Sequence, residues 1–265
     1  RGIGYGFDFA YPRAAGQALR NVVAAPLRVG VPFTFSTHLE LTDYWLRVSG
    51  FAPEEVKLIT VPPPRMTDAM AAGEVDMFCV GEPWASFAVE REAAALLLPG
   101  TSIWAAPPEK GLVLRRDFTA VRPDETGALM RAVWRAGRWL DQPDQRGLAA
   151  EIISRAGYLD LPPELADRGL SGRLLLCADG ELREAPRFIA FNAGAASFPW
   201  RSIAALIAKR IALRYGKDID VAMARAMQHF RTDLYRKHLR PAGAALPGAS
   251  SRLEGMLVEL SLIHI

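Results

Sequence analysis

From Pro26 onward, short apolar runs alternate with stretches of helical periodicity, and this order of elements constrains the fold more than any other feature of the chain. Leu27–Pro32 reads as a strand. Thr37–Ser49 reads as a helix ending near Gly50, with Leu41, Trp45, Leu46 and Val48 on its apolar side. Val56–Val61 is a second strand, stopped by Pro62-Pro63-Pro64, and Arg65–Ala72 is a helix capped by Gly73. Val75–Val80 is a third strand, Ala85–Ala93 a helix and Leu96–Leu98 a fourth strand. Strands joined by helices of about ten residues imply βαβ crossovers and a mainly parallel sheet, so the class is α/β.

After Lys110 the pattern changes. Gly111–Arg115 reads as one more strand, and helices then dominate. Thr126–Asp141 places Leu129, Val133, Trp134, Gly137 and Leu140 on one side and Arg131, Arg135 and Arg138 on the other. Leu148–Gly157 and Ser202–Tyr215 are similar. Asp220–Leu239 reads as one long helix with Met223, Met227, Phe230 and Leu234 as its buried row. Before Pro26 stand the glycine-rich Gly2–Gly6 run, read as a loop, and a short helix over Ala14–Ala24. The apolar tail Met256–Ile265 has no evident partner and is expected to be frayed or foreign to the fold. No internal repeat is evident.

Composition narrows the function classes. A length of 265 residues with 50% hydrophobic side chains suits one large domain or two small ones, without need of a disulfide or metal staple. With 32 basic and 29 acidic residues the net charge is +3, too small to imply nucleic-acid binding by itself. No apolar run approaches the ~18 residues of a membrane span. Cys79 and Cys177 lack CxxC or histidine companions and are expected to be free, buried thiols.

Enzyme signatures are missing: the sequence has no HExxH, GxSxG, Walker loop or kinase set. His38, His229, His238 and His264 have no metal-like spacing, and the pair on the last long helix is expected at the surface. The remaining polar residues of interest fall at the carboxyl ends of parallel strands, where open α/β sheets bind ligands. His38 follows the first strand, Pro62–Arg65 the second and Gly81-Glu82 the third, while Lys110 precedes the strand that leaves this region. Helix N-termini, a histidine donor and a lysine charge would suit a small anion. Each also has a plainer reading: His38 as the neighbour of a cap, Glu82 as a capping carboxylate, Lys110 as a solvated charge and the proline run as a rigid turn.

The strings themselves are more specific. Phe35-Ser-Thr-His38, Tyr44-Trp-Leu46, Val61-Pro-Pro-Pro-Arg-Met66, Phe78-Cys-Val-Gly-Glu-Pro-Trp84, Pro108-Glu-Lys110 and Phe198-Pro-Trp-Arg-Ser202 occur in order. Over residues 26–216 the sequence resembles the nitrate/nitrite- and bicarbonate-binding proteins of ABC uptake systems (the NrtA/CmpA family) and their cytoplasmic nitrate-sensor relatives. The resemblance implies a type II periplasmic-binding-protein-like fold of two lobes with mainly parallel sheets, closing on a ligand by a hinge. It also implies that the N-terminal part of the first lobe is missing. On that basis 1–25 would be the end of a first-lobe segment, 26–112 the second α/β lobe, 113–245 the mostly helical return to the first lobe and 246–265 a tail.

In that family a planar anion is held by a histidine, the Gly-Glu pair of the VGEPW turn and the lysine of the PEK string, which match His38, Gly81, Glu82 and Lys110 here. The chain departs from the pattern at Ala85, where the family usually has Asn, at Asp43, where it has Arg, and at Pro107, where it has His. The implied function is binding of a small inorganic oxyanion, nitrate or nitrite first, as the substrate-binding component of an ABC uptake system. The alternative is a cytoplasmic nitrate sensor that releases an antiterminator-type regulatory protein. The expected partners are thus the anion and either an ABC permease or that regulator, with no direct nucleic-acid contact. No cofactor is expected, Ca²⁺ entering only if the ligand is bicarbonate. The location would be periplasmic for a transporter component and cytoplasmic for a sensor. An enzyme of the same broad fold would have to use His38 and Glu82 as its acid/base pair.

Overall fold

The computed structural model describes residues 8–23 and 26–255. In chain order the elements are α1 (Pro12–Val22), β1 (Leu27–Val31), α2 (Thr37–Val48), β2 (Val56–Thr60), α3 (Met66–Ala71), β3 (Met77–Phe78) and α4 (Trp84–Glu90), then α5 (Arg116–Val121), α6 (Pro123–Leu140), α7 (Arg146–Ile153), α8 (Pro163–Ser171), β4 (Arg173–Leu175), β5 (Leu182–Glu184), α9 (Arg201–Arg214), α10 (Ile219–His229) and α11 (Thr232–Leu239). The Gly2–Gly6 run and the tail Met256–Ile265 lie outside the described residues. The chain forms two units. One takes the chain up to Pro107 together with Gly147–Ile189; the other takes Pro108–Arg146 and Ala190–Glu254.

The first unit is built on a parallel sheet of order β2-β1-β3. Leu27 pairs with Val56 and Val31 with Thr60, while Val29 and Gly30 pair with Met77 and Phe78. The central strand is nearly all apolar and buried, as a strand flanked on both edges requires; β2 exposes Lys57 and Leu58. At the amino edge of the sheet Asp76 accepts from the backbone N–H (2.8 Å) and Nε (3.0 Å) of Arg28, which fixes the β1–β3 register. The Arg28 guanidinium holds the Asp76 carboxyl below the usual carboxylate range. Gly30 has no side chain because Met66 crosses the strand there: a Cβ would lie 2.7 Å from Met66 Sδ.

Helix α1 packs on α2 through Gly16, where a Cβ would lie 1.8 Å from Ser49 Oγ and 2.5 Å from Ser49 Cβ. The Trp45 indole N–H donates to the Pro12 carbonyl at 2.7 Å across the same contact. Alanine in place of a helical glycine ordinarily gains about 0.5–1 kcal/mol. Here the overlap reverses the sign, and Gly16→Ala is expected to destabilise the first unit by about 1–3 kcal/mol. Denaturant titration of the two proteins checks it, and a variant as stable as the parent would show that the helices separate freely.

The second unit, among its described residues, is helical. Trp134, Phe198, Trp200, Ile203, Tyr235 and Leu239 form its core, with Phe198 4.9 Å from Trp200 and 5.1 Å from Tyr235 between ring centroids. Arginines cover these rings: Arg138 over Trp134, Arg236 over Phe198 and Arg252 over Trp200. Asp141, just past α6, accepts the backbone N–H groups of Phe191 (2.9 Å), Asn192 (2.7 Å) and Ala193 (3.1 Å) and so anchors the returning loop.

Several sequence expectations are corrected. The third strand is shortened to Met77–Phe78, although Asp76 and Cys79 still donate to the Arg28 and Gly30 carbonyls. Leu96–Leu98 and Gly111–Arg115 are not strands; Leu96 makes one backbone bond, to the Leu176 carbonyl, showing that a short apolar run need not be a strand. The helix expected over Asp220–Leu239 breaks at Phe230-Arg231 into α10 and α11, and Thr232 pairs with the Ser250 hydroxyl at 3.2 Å. The break changes the helical phase, so α10 buries no side chain fully, while Tyr235, His238 and Leu239 of α11 are buried. His238 therefore leaves the surface expected of it and sits against Gly127 of α6, where a Cβ would be 2.5 Å from its Nδ1. Leu129 and Val133 are exposed, and Arg138 stacks on Trp134 rather than facing away from it. Cys79 and Cys177 are not joined in a disulfide and are only half-buried.

Candidate functional site

The strand order sets where a ligand can enter the first unit. The chain leaves β1 toward β2 on one side, then returns past β1 to place β3 on the other. Connections after β1 and β3 therefore run apart at the carboxyl edge, the position where open α/β sheets take their ligands. The segment after β1 leads into α2, whose N-cap Ser36 accepts from the Leu39 N–H at 3.3 Å. His38 is the second residue of that helix and is half-buried. The Thr42 hydroxyl donates to the His38 carbonyl at 2.8 Å and tightens the first turn.

The segment after β3 runs Cys79-Val80-Gly81-Glu82-Pro83 into α4. Gly81 meets the histidine from across the switch point: a Cβ built on it would lie 3.6 Å from His38 Nε2. That is ordinary contact, so the fold itself tolerates a methyl group there. Glu82 is half-buried, and its Oε2 accepts the Ser86 N–H at 3.1 Å. Burial pushes the Glu82 carboxyl above the usual carboxylate range, while the Ser86 hydrogen bonds and the charge of Arg168 pull the other way.

The structure thus brings His38, Gly81 and Glu82 together. Lys110 belongs to the second unit, where its side chain is 89% exposed and paired with Glu109. The Pro62–Arg65 turn follows β2, on the far side of β1 from β3. Helix α8 was missed by the sequence reading and touches Glu82: a Cβ on Gly169 would lie 2.8 Å from Glu82 Cβ. Proline at its first position and Gly172 at φ +76° after its end are the start and stop signals that mark it. The β4–β5 hairpin was missed as well, although Asp179-Gly180 in its turn is a signal of the same kind. No group of three or more His, Cys, Asp or Glu side chains among the described residues is arranged to hold a metal ion. No helix among them is long and apolar enough to cross a membrane.

Comparison with known proteins places this geometry in context. The model of the NMT1-like family matches residues 8–154. The chain is 30% identical over 177 residues to the nitrate/nitrite binding protein NrtA of Synechococcus elongatus, covering 66% of this chain and 40% of that one. It is 27% identical over 222 residues to the bicarbonate-binding protein CmpA of the same species, covering 79% and 49%. It is 36% identical over 134 residues to the nitrate import ATP-binding protein NrtC of that species, covering 50% and 20%. The chain therefore spans about half the length, or less, of the curated relatives it matches. Among solved structures, the periplasmic nitrate-binding protein NrtA from Synechocystis PCC 6803 superposes with a TM-score of 0.84 at 24% identity, over 93% of this chain and 66% of that one. The fold is accordingly that of a periplasmic binding protein, as the motifs implied.

Proposed function

Because the chain belongs to the NMT1-like family, whose model matches residues 8–154, we propose that it binds a small inorganic oxyanion, nitrate or nitrite before bicarbonate, as the substrate-binding component of an ABC uptake system. The observation that carries this reading is the approach of His38 Nε2 to the bare Cα of Gly81, beside Glu82, at the β1/β3 switch point. The names of the relatives support it: two are anion-binding proteins and one is an ATP-binding import component. No bond is made or broken. The histidine ring donates from one side, and the glycine lets a flat anion lie against backbone. Lys110, in the other unit, enters through the motif match alone, as the full positive charge. The permease of such a system is the expected protein partner, and Ca²⁺ belongs only to the bicarbonate version.

Calorimetric titration with nitrate, nitrite and bicarbonate, the last with and without Ca²⁺, tests the proposal; no heat from any of the three overturns it. Charge-assisted hydrogen bonds contribute about 1.5–3 kcal/mol each, so His38→Ala and Lys110→Ala are each expected to weaken the bound anion about 10- to 150-fold. Gly81→Ala is expected to leave the melting temperature unchanged, since its methyl group has room, yet to weaken binding at least tenfold by occupying the space next to His38 Nε2. Unchanged affinity in all three variants would remove these residues from the site.

A further inference from the structure

We propose that helix α8 is the positioning element for Glu82, with Gly169 setting the place of its side chain and Arg168 setting the charge balance around it. This rests on the reading of Glu82 as an anion-site residue. Glycine inside a helix is destabilising relative to alanine, so Gly169 calls for a local reason. The reason is contact: a Cβ at 169 would meet Glu82 Cβ at 2.8 Å and Cγ at 3.3 Å. Overlap at a Cβ cannot be relieved by turning the far end of the side chain, so a methyl group there must move the Glu82 backbone or α8. Gly169 sits on the buried face of α8 with Leu165, Ala166 and Leu170. The ends of α8 are also fixed, by Pro163 at the start and Gly172 at φ +76° past the end.

Arg168 ties the same helix to α4. Its Nη1 lies 2.7 Å from Glu90 Oε2, at the other end of the helix that begins two residues after Glu82. Its charge also acts on Glu82, favouring the ionised carboxylate against the burial that opposes it. The groups that act on Glu82 are thus the Ser86 N–H and hydroxyl on α4 and Arg168 on α8, while the His38 ring on α2 meets the neighbouring Gly81. Gly169 and Arg168 act on the anion through Glu82 and are positioning residues.

The test is nitrate affinity against pH, by titration calorimetry, for the parent chain, Gly169→Ala, Arg168→Gln and the control Gly147→Ala, whose added methyl group meets nothing within 4 Å. Gly169→Ala is expected to bind nitrate at least tenfold more weakly, with Gly147→Ala unchanged. Arg168→Gln is expected to move the midpoint of the pH profile upward, because the cation that favours the ionised carboxylate is gone, while Arg168→Lys keeps the parent midpoint. A purely structural role for Arg168 would lower stability without moving that midpoint. If the parent binds nitrate while Gly169→Ala matches it, or while Arg168→Gln keeps its midpoint, the positioning role is overturned and the anion site stands. If Gly169→Ala does not fold, the midpoint of Arg168→Gln decides alone. If the parent binds neither nitrate nor bicarbonate, both readings fall.

Discussion

Met66→Ala is expected to cost the first unit about 2–5 kcal/mol, in the upper part of that range, the largest stability loss from any single substitution considered. Met66 is fully buried and opens α3 directly after the Pro62-Pro63-Pro64 turn. Around it lie Val61, Ala69 and Val75, with Ile59, Met70, Phe78 and Val80 partly buried against them. Those residues come from α3 itself, from β2 and β3 and from the segments flanking them, so one side chain packs against both outer strands over the central one. The loss has two parts, the transfer energy of the removed atoms and the cavity left behind. The cavity would persist, because the strand beneath it carries Gly30, which has no side chain to fall into the space. A coupling follows. Gly30→Ala alone is expected to destabilise, since its Cβ would sit 2.7 Å from Met66 Sδ. In the Met66→Ala background the same change is expected to be neutral or stabilising, filling part of the void. Denaturant midpoints of the four proteins measure this, and strictly additive losses would sink the packing account. Val80 belongs to this cluster and leads straight into Gly81, so the same void is expected to loosen the site as well.

The parallel core and the site's address were legible because both depend on local signals. Leu27–Val31 and Val56–Thr60 are short apolar or β-branched runs between breakers, and the glycines at 50 and 73 end helices in the left-handed region, at φ +93° and +67°. Once those strands are parallel, a residue just past a strand end is at the ligand edge whatever the details. This placed His38, Gly81 and Glu82 correctly as neighbours of an edge, though strand order is not local, and only the order separates the β2 turn from the crevice. The helical half was harder. No glycine or proline marks the break at Phe230-Arg231; it depends on where α9 and the Ser250 segment lie, since Arg201 donates to the Phe230 carbonyl at 3.5 Å and Ser250 meets Thr232. The row Met223, Met227, Phe230 and Leu234 is only half-buried, and the shifted phase brings His238 inward. The contact of Gly169 with Glu82 joins residues far apart in the chain, and no spacing rule reaches that distance.

Nitrate affinity is expected to fall about tenfold for each pH unit once Glu82 begins to lose its proton, and to keep falling over a span wider than any single lost donor would produce. A carboxylate is a poor neighbour for an anion. Two unit charges about 4 Å apart repel by about 4 kcal/mol at an effective dielectric near 20, equivalent to about a thousandfold in affinity. A protonated carboxyl has no such repulsion and offers an O–H donor instead. Burial already pushes the Glu82 proton affinity above the usual carboxylate range, against the pull of Ser86 and Arg168. By linkage, an anion that repels the charged form binds a proton along with it, so the affinity is highest at acid pH and declines as pH rises through the Glu82 transition. The same sign governs folding. A carboxyl whose proton affinity is raised in the folded state stabilises it at low pH, and that contribution is lost as pH rises through the folded-state transition. Glu82→Gln keeps a donor and removes the charge. It is expected to bind nitrate with a much flatter pH profile, to hold its affinity at alkaline pH, and to be more stable there than the parent. Whatever slope survives in Glu82→Gln measures the share of the other titrating groups. Titrations from roughly pH 5 to pH 9 on both proteins decide the matter. A flat parent profile, or a Glu82→Gln profile as steep as the parent's, would show that Glu82 offers only its backbone N–H, with its carboxylate turned to Ser86 and too far from the anion to repel it.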